Sequence, residues 1–210
     1  MNVKILPCGP LSVNTYIVSG ETHHCLVIDP GDAVPVSRFL EMNGLFCDAI
    51  LLTHGHFDHI SGIPGLLRKH PDCPVYVHPD DAYMLSDPRA CLASYFGRSF
   101  EPVPDYALLQ EGAMTAGGFS FEVLHTPGHS EGSVSFLFES SRILFSGDTV
   151  FQCSVGRSDL PGGDEMTLLR TVRTLLDSIP DGTLIYPGHG PETEKSYEQA
   201  HNPYYLYYAK

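Results

Sequence analysis

The apolar positions of this chain fall into short runs that alternate with polar, glycine-marked turns, and the spacing predicts where each element lies. Val3–Cys8 and Thr15–Ser19 read as antiparallel strands, with Gly20-Glu21-Thr22 as a turn before a third strand, Cys25–Ile28, that runs into Asp29-Pro30-Gly31. A helix is expected over Val34–Asn43, with Val36, Phe39 and Leu40 on one side and Gly44 as its stop. Further helices are expected over His59–His70, Pro79–Leu85, Gly163–Ile179 and Glu192–His201. In the longest of these, Met166, Leu169, Val172 and Leu176 recur at helical spacing. Arg89–Asp105 has weak periodicity and reads as a loop or short helix that walls a site.

One unit recurs four times: an apolar strand runs straight into a potential metal ligand beside a glycine. Ala49–Thr53 leads into His54-Gly55-His56, and Phe119–Thr126 into Pro127-Gly128-His129. Ile143–Phe145 leads into Ser146-Gly147-Asp148, and Thr183–Tyr186 into Pro187-Gly188-His189. Strand ends gathered at one mouth are how layered α/β folds build sites, so an α/β class follows.

Composition narrows the function. The chain has 210 residues, enough for one well-filled core, and its 12 Lys+Arg against 25 Asp+Glu give a net charge of −13. That acidity argues against nucleic acid and against an anionic membrane surface, both of which demand basic residues. No apolar run approaches the roughly 20 residues that cross a bilayer, and the first residues lack the long apolar stretch of a secretory signal, so a cytoplasmic location is expected. Six scattered cysteines without a C-x-x-C pair suggest free, mostly buried thiols. The tyrosine-rich stretch His201–Tyr208 suggests packing on the domain or a subunit contact, which leaves room for a homodimer.

The densest chemical signal is His54-Gly55-His56-Phe57-Asp58-His59. An H-x-H-x-D-H pattern has a chance of about 0.002 of arising at random in a chain of this composition. Residues two apart on extended backbone point to the same side, so His54 and His56 can hold one ion. Where the chain bends toward a helix, Asp58 and His59 can face a second. His129 can complete a three-histidine set on the first ion, His189 can join Asp58 and His59 on the second, and Asp148 can bridge the two. Imidazole and carboxylate ligands suit zinc, and also iron or manganese.

The order of these motifs, together with Gly156–Asp164, resembles the metallo-β-lactamase superfamily over essentially the whole chain, and within it the glyoxalase II (hydroxyacylglutathione hydrolase)-like members. The resemblance implies a four-layer αββα sandwich, two mixed sheets face to face with helices on both outer faces, formed as a single domain over residues 1–210. It implies a binuclear hydrolase in which a metal-bridging hydroxide attacks a small thioester or ester, with His54, His56, Asp58, His59, His129, Asp148 and His189 as ligands. Asp58 would also orient the hydroxide, and Asp29 would brace the histidine loop without ligating. Aspartate at position 148, where the commonest zinc β-lactamases carry cysteine, disfavours antibiotic hydrolysis.

Full-length glyoxalase II carries a C-terminal helical domain for glutathione, whereas this chain ends about 20 residues after His189 and has Gly190-Pro191 where a glutathione-contacting tyrosine is expected. Arg157 occupies a place where the larger enzymes carry a lysine toward the substrate's anionic tail; a salt bridge to Asp159 or Asp164 is the alternative. Two other functions fit the same ligands: a mono-iron persulfide dioxygenase, and a non-catalytic metal-binding member of the fold.

Overall fold

The computed structural model describes residues 1–207. These fall into two compact units, Met1–Leu109 with Thr115–Phe119, and Gln110–Met114 with the chain from Ser120 onward.

The first unit is built on a six-stranded sheet ordered β1 (Asn2–Cys8), β2 (Val13–Ser19), β3 (His24–Ile28), β4 (Phe46–Leu51), β5 (Val75–Val77) and β6 (Ala107–Leu108). β1, β2 and β3 are joined by short links and pair antiparallel, while β3, β4, β5 and β6 pair in parallel. Parallel neighbours need a crossover. Helix α1 (Ala33–Asn43) supplies the one from β3 to β4. The Asp32 carboxylate caps its start by accepting the Val34 N–H, and Gly44 ends it in the left-handed region at φ 60°, a conformation glycine adopts without penalty. Val36 and Leu40 are buried, as the periodicity predicts.

The helix expected over His59–His70 is in fact two short ones, α2 (Phe57–Ile60) and α3 (Ile63–Leu67). The Gly62 N–H turns away to the Pro30 carbonyl (2.7 Å), and Pro64, which has no N–H to donate, sits in the first turn of the second piece. Pro79–Leu85 winds as a 3-10 helix. The stretch expected to be loop or short helix, residues 89–105, contains turns and no regular helix.

The second unit carries β7 (Gly112–Ala116) up to Met114, β8 (Phe119–His125) from Ser120, β9 (Val134–Phe138), β10 (Ile143–Gly147), the small hairpin β11 (Val150–Phe151) and β12 (Ser154–Val155), then β13 (Leu184–Pro187) and β14 (Thr193–Glu194). Its sheet runs β14-β13-β10-β9-β8-β7. Helix α4 (Glu165–Ser178) is one turn-fragment shorter than expected, because Asp164 caps it by accepting the Thr167 N–H at 2.7 Å. Leu168, Leu169, Val172, Leu175 and Leu176 are its buried face; Met166, expected there, is 47% exposed. That face belongs to a core with Leu137, Leu144, Ile179 and Ile185.

The last expected helix begins late, at Lys195 (α5, Lys195–His201), since Thr193 and Glu194 are drawn into the sheet opposite Ile185 and Leu184. A further helix, α6 (Pro203–Tyr207), had no periodic signal, and Tyr208 of the aromatic stretch lies outside the described residues. No helix among the described residues is long and apolar enough to cross a membrane.

Candidate metal centre

In the first unit the parallel strands β3, β4 and β5 end side by side, and the polar groups that follow them interlock. Asp29, just past β3, takes φ 50°, which aspartate tolerates better than most residues, and its N–H donates to the Leu51 carbonyl (3.1 Å). Its buried carboxylate accepts the Thr53 N–H (2.8 Å) on one oxygen and the Thr53 hydroxyl (2.6 Å) on the other. The second oxygen also lies 2.9 Å from His59 Nδ1. Thr15 closes the bracket from β2: its hydroxyl donates to the Asp29 carbonyl (2.7 Å) and accepts the Gly31 N–H (3.1 Å).

Held between these anchors, residues 54–59 turn their polar groups to one place. His54, His56, Asp58 and His59 are all buried. The ring centroids of His54 and His56 are 4.7 Å apart and those of His54 and His59 4.0 Å apart. Ligand atoms of His54 and His56, of His54 and His59, and of Asp58 and His59 lie within 4.8 Å of one another. The Asp29 carboxylate beside Nδ1 favours the proton on that nitrogen by charge, which leaves Nε2, 3.7 Å from Asp58 Oδ2, to carry the lone pair.

Asp81, which the sequence reading passed over, supports the same loop. Fully buried past β5, it accepts the Gly55 N–H at 3.0 Å. A Cβ on Gly55 would lie 2.7 Å from Met84 Cβ, so only glycine fits between His54 and His56.

In the second unit the same logic places three more groups. β10 pairs in parallel with β13 and antiparallel with β9, which pairs antiparallel with β8, so β8, β10 and β13 end at the same edge. His129, Asp148 and His189 follow those three ends. Asp148 Oδ2 lies 3.6 Å from His129 Nε2 and 3.8 Å from His189 Nε2. His129 Nδ1 is 2.7 Å from the Arg157 carbonyl, which can only accept, so Nδ1 carries the proton and Nε2 the lone pair. A Cβ on Gly156 would come 1.9 Å from the Asp148 carbonyl and 3.0 Å from His129 Nδ1, so this glycine lets the loop close on both groups.

These spacings fit a metal. Separations of 3.6–3.8 Å exceed a hydrogen bond. Two nitrogen or oxygen ligands of one tetrahedral zinc, each about 2.0–2.1 Å from it, lie about 3.4 Å apart. The imidazole and carboxylate donors of both units, buried except for the half-buried Asp148 and His189, are therefore groups that could hold divalent ions.

Arg157, singled out in the sequence, and Cys153 also have definite places. Arg157 makes a two-pronged pair with Asp159 (2.7 and 2.9 Å), not with Asp164. Cys153 is half-buried, with its sulfur 3.9 Å from the Tyr197 hydroxyl. None of the six cysteines is bridged, and four of them are buried.

Comparison with known proteins agrees with this geometry. Residues 8–189 match the family model of the metallo-beta-lactamase superfamily. A probable metallo-hydrolase, YqgX, of Bacillus subtilis is 38% identical over 208 residues, covering 97% of each chain. The hydroxyacylglutathione hydrolase GloC of Haemophilus influenzae is 33% identical over 97% of this chain and 98% of its own. The crystal structure of the BLEG-1 B3 metallo-beta-lactamase superposes with a TM-score of 0.91 at 38% identity, covering 97% of this chain and 99% of that one. A structure of TTHA1623 in a di-iron-bound form gives 0.86 at 40% identity over 96% and 100%. The α/β fold is thus the one these proteins share, and the chain belongs to the metallo-β-lactamase superfamily.

Proposed function

We propose that the protein is a binuclear metal-dependent hydrolase that cleaves a small thioester, an S-acylglutathione or a related S-acyl thiol, or an ester. The observation that carries this reading is the pair of imidazole and carboxylate donor sets gathered at the strand ends. His54, His56 and His129 would hold one ion, Asp58, His59 and His189 the other, and Asp148 both. The position of Asp148 Oδ2 between His129 and His189 supports the shared role. Zinc is the expected metal; the di-iron-bound relative makes iron an alternative, and manganese suits the same ligands.

Divalent ions bound there supply Lewis acidity, acidifying water and polarising the carbonyl it attacks. Around them, the Asp58 carboxylate orients the attacking water by accepting its hydrogen bond. Asp29 and the Arg157 carbonyl hold His59 and His129 in the tautomers that present Nε2. Water oxygen bonds to the acyl carbon, the C–S bond breaks, and the thiol leaves with a proton. Both units contribute to one catalytic domain in this reading, in a cytoplasmic setting, and no step calls on a serine or cysteine nucleophile.

The test is turnover of S-lactoylglutathione and simple acyl thioesters by protein loaded with two equivalents of zinc or iron, beside metal-free protein. Metal-dependent thiol release is expected. Equal behaviour of loaded and metal-free protein would sink the proposal. A β-lactam substrate is the second reading, favoured by the 38% identity to a named lactamase, and a chromogenic cephalosporin in the same assay separates it. One iron per chain with oxygen uptake on a glutathione persulfide would instead point to a dioxygenase.

A further inference from the structure

Three of the cysteines that the candidate metal centre does not use meet within the first unit. Cys47 lies on β4 and Cys73 on the turn entering β5, and their sulfurs are 3.3 Å apart. The register explains the meeting: β4 and β5 pair in parallel with Ile50 opposite Val75, and the Ile50 N–H donates to the Pro74 carbonyl (2.9 Å), which pins the turn beside the strand. Cys25, on β3, is the cross-strand partner of Cys47. A disulfide has an S–S length of about 2.05 Å, and the Cys47 and Cys73 sulfurs already stand in direct contact at 3.3 Å.

The three thiols differ in access. Cys25 is fully buried, Cys73 is buried at 8% exposed, and Cys47 is half-buried. Cys73 forms part of the wall of a cavity of about 570 Å³, together with Arg68, Asp72, Glu101 and Tyr106, a size typical of small-molecule sites. They also differ in acidity. The hydrogen bond with Cys47 lowers the pKa of Cys73, whereas hydrogen bonds with Cys25 and Cys73, followed by burial, push Cys47 up. Cys73 is therefore the member of the pair suited to attack, since the thiolate is the nucleophile.

We propose that Cys47 and Cys73 are an exchange-active thiol pair, oxidised to an intrachain disulfide by a low-molecular-mass disulfide that enters the Cys73 cavity. The Cys73 thiolate attacks one sulfur of the small disulfide, forming a mixed disulfide and expelling one small thiolate. Cys47 then gives up its proton to solvent and attacks the Cys73 sulfur, closing the Cys47–Cys73 bond and expelling the second small thiolate. Both expelled thiolates take up the protons released, so two protein thiols are oxidised and one small disulfide is reduced to two thiols. The pair lies away from the strand ends that carry the candidate ligands, so this exchange neither requires nor competes with the hydrolytic reading.

The test uses full-length protein equilibrated with reduced and oxidised glutathione over a range of ratios, then quenched with an alkylating agent and mapped by peptide mass. The expected result is a protein lighter by two hydrogens, with a single cross-linked peptide pair joining Cys47 to Cys73, reversed by reduced glutathione. Cys47→Ser should arrest the exchange as a glutathione adduct on Cys73, and Cys73→Ser should form neither bridge nor adduct at Cys47. No bridge at any ratio, a bridge between Cys25 and Cys47 instead, or an adduct on another cysteine in Cys47→Ser would overturn the proposal. The wild-type map decides the matter alone if either variant fails to fold.

Discussion

Asp29 is the residue whose replacement separates folding from metal binding. Its carboxylate accepts two buried hydrogen bonds, from the Thr53 N–H at 2.8 Å and the Thr53 hydroxyl at 2.6 Å, and lies 2.9 Å from His59 Nδ1 as a charge partner. Asp29→Ala leaves both Thr53 donors without their acceptor and His59 without its charge partner, and at about 1.5 kcal/mol for each hydrogen bond to a charged group the loss comes to about 3 kcal/mol. That is a large part of the roughly 5–15 kcal/mol that holds a domain folded. Alanine must also take the φ 50° backbone of this position, which adds to the cost.

Asp29→Asn is the informative partner. Asparagine tolerates the same backbone and keeps one oxygen for Thr53, so the expected loss is only about 2 kcal/mol, a fall of about 1 M in the urea midpoint at a slope near 2 kcal/mol/M. Its amide, however, presents N–H groups that cannot accept from His59 Nδ1. With that anchor gone, metal affinity should fall about 10–100-fold, the range seen when a histidine ligand loses its supporting partner. Urea denaturation of metal-free protein and a chelator-competition titration read the two quantities separately. Wild-type metal affinity in Asp29→Asn would refute the claim that this carboxylate fixes the His59 tautomer.

Other outcomes are equally specific. Gly156→Ala forces a methyl to within 1.9 Å of the Asp148 carbonyl and should lower both the melting temperature and the bound metal per chain, measured by differential scanning fluorimetry and elemental analysis. Leu176→Ala, at a fully buried position of the second unit's core, should cost about 2–5 kcal/mol in chemical denaturation, with metal content unchanged in the folded fraction. Arg157→Ala should barely alter stability, because its ion pair with Asp159 is exposed; a rise in KM for anionic thioesters with kcat unchanged would show that the guanidinium also meets substrate. The Tyr205 hydroxyl, then Arg173, lowers the pKa of Asp177, so the stabilisation is present above the unfolded carboxylate pKa and is lost as pH falls through the lower folded value. An acid denaturation series should therefore show wild type and Asp177→Asn converging below about pH 4, the ordinary carboxylate range.

The legible parts of this molecule were those written in consecutive residues. The apolar runs of β2 and β3, the glycine stop of α1 and the strand-then-ligand pattern before His54, His129, Asp148 and His189 all depend on neighbours in the chain. What escaped depends on partners far away. Asp81 meets Gly55 across 26 residues, and the Arg157 carbonyl meets His129 across 28, with nothing local to announce either. The break between α2 and α3 follows from Gly62 bonding to Pro30, a contact that apolar periodicity does not encode. Met166 fits the helical spacing and still faces solvent, because the core selects Leu168 and Leu175 instead.

The hydrogen bond from His129 to position 157 has one more consequence. The acceptor is a peptide oxygen, which every amino acid possesses, so the ring's protonation pattern is indifferent to which side chain stands there. A scan that replaces residues one at a time with alanine would score position 157 by its guanidinium alone and pass over the group that sets the imidazole. Only changes to the course of the main chain, such as shortening the 156–163 loop or altering the glycine before it, can reach that oxygen. In families built on this arrangement, the spacing between the histidine and this loop is then the quantity under constraint, and insertions there should be rarer than substitutions.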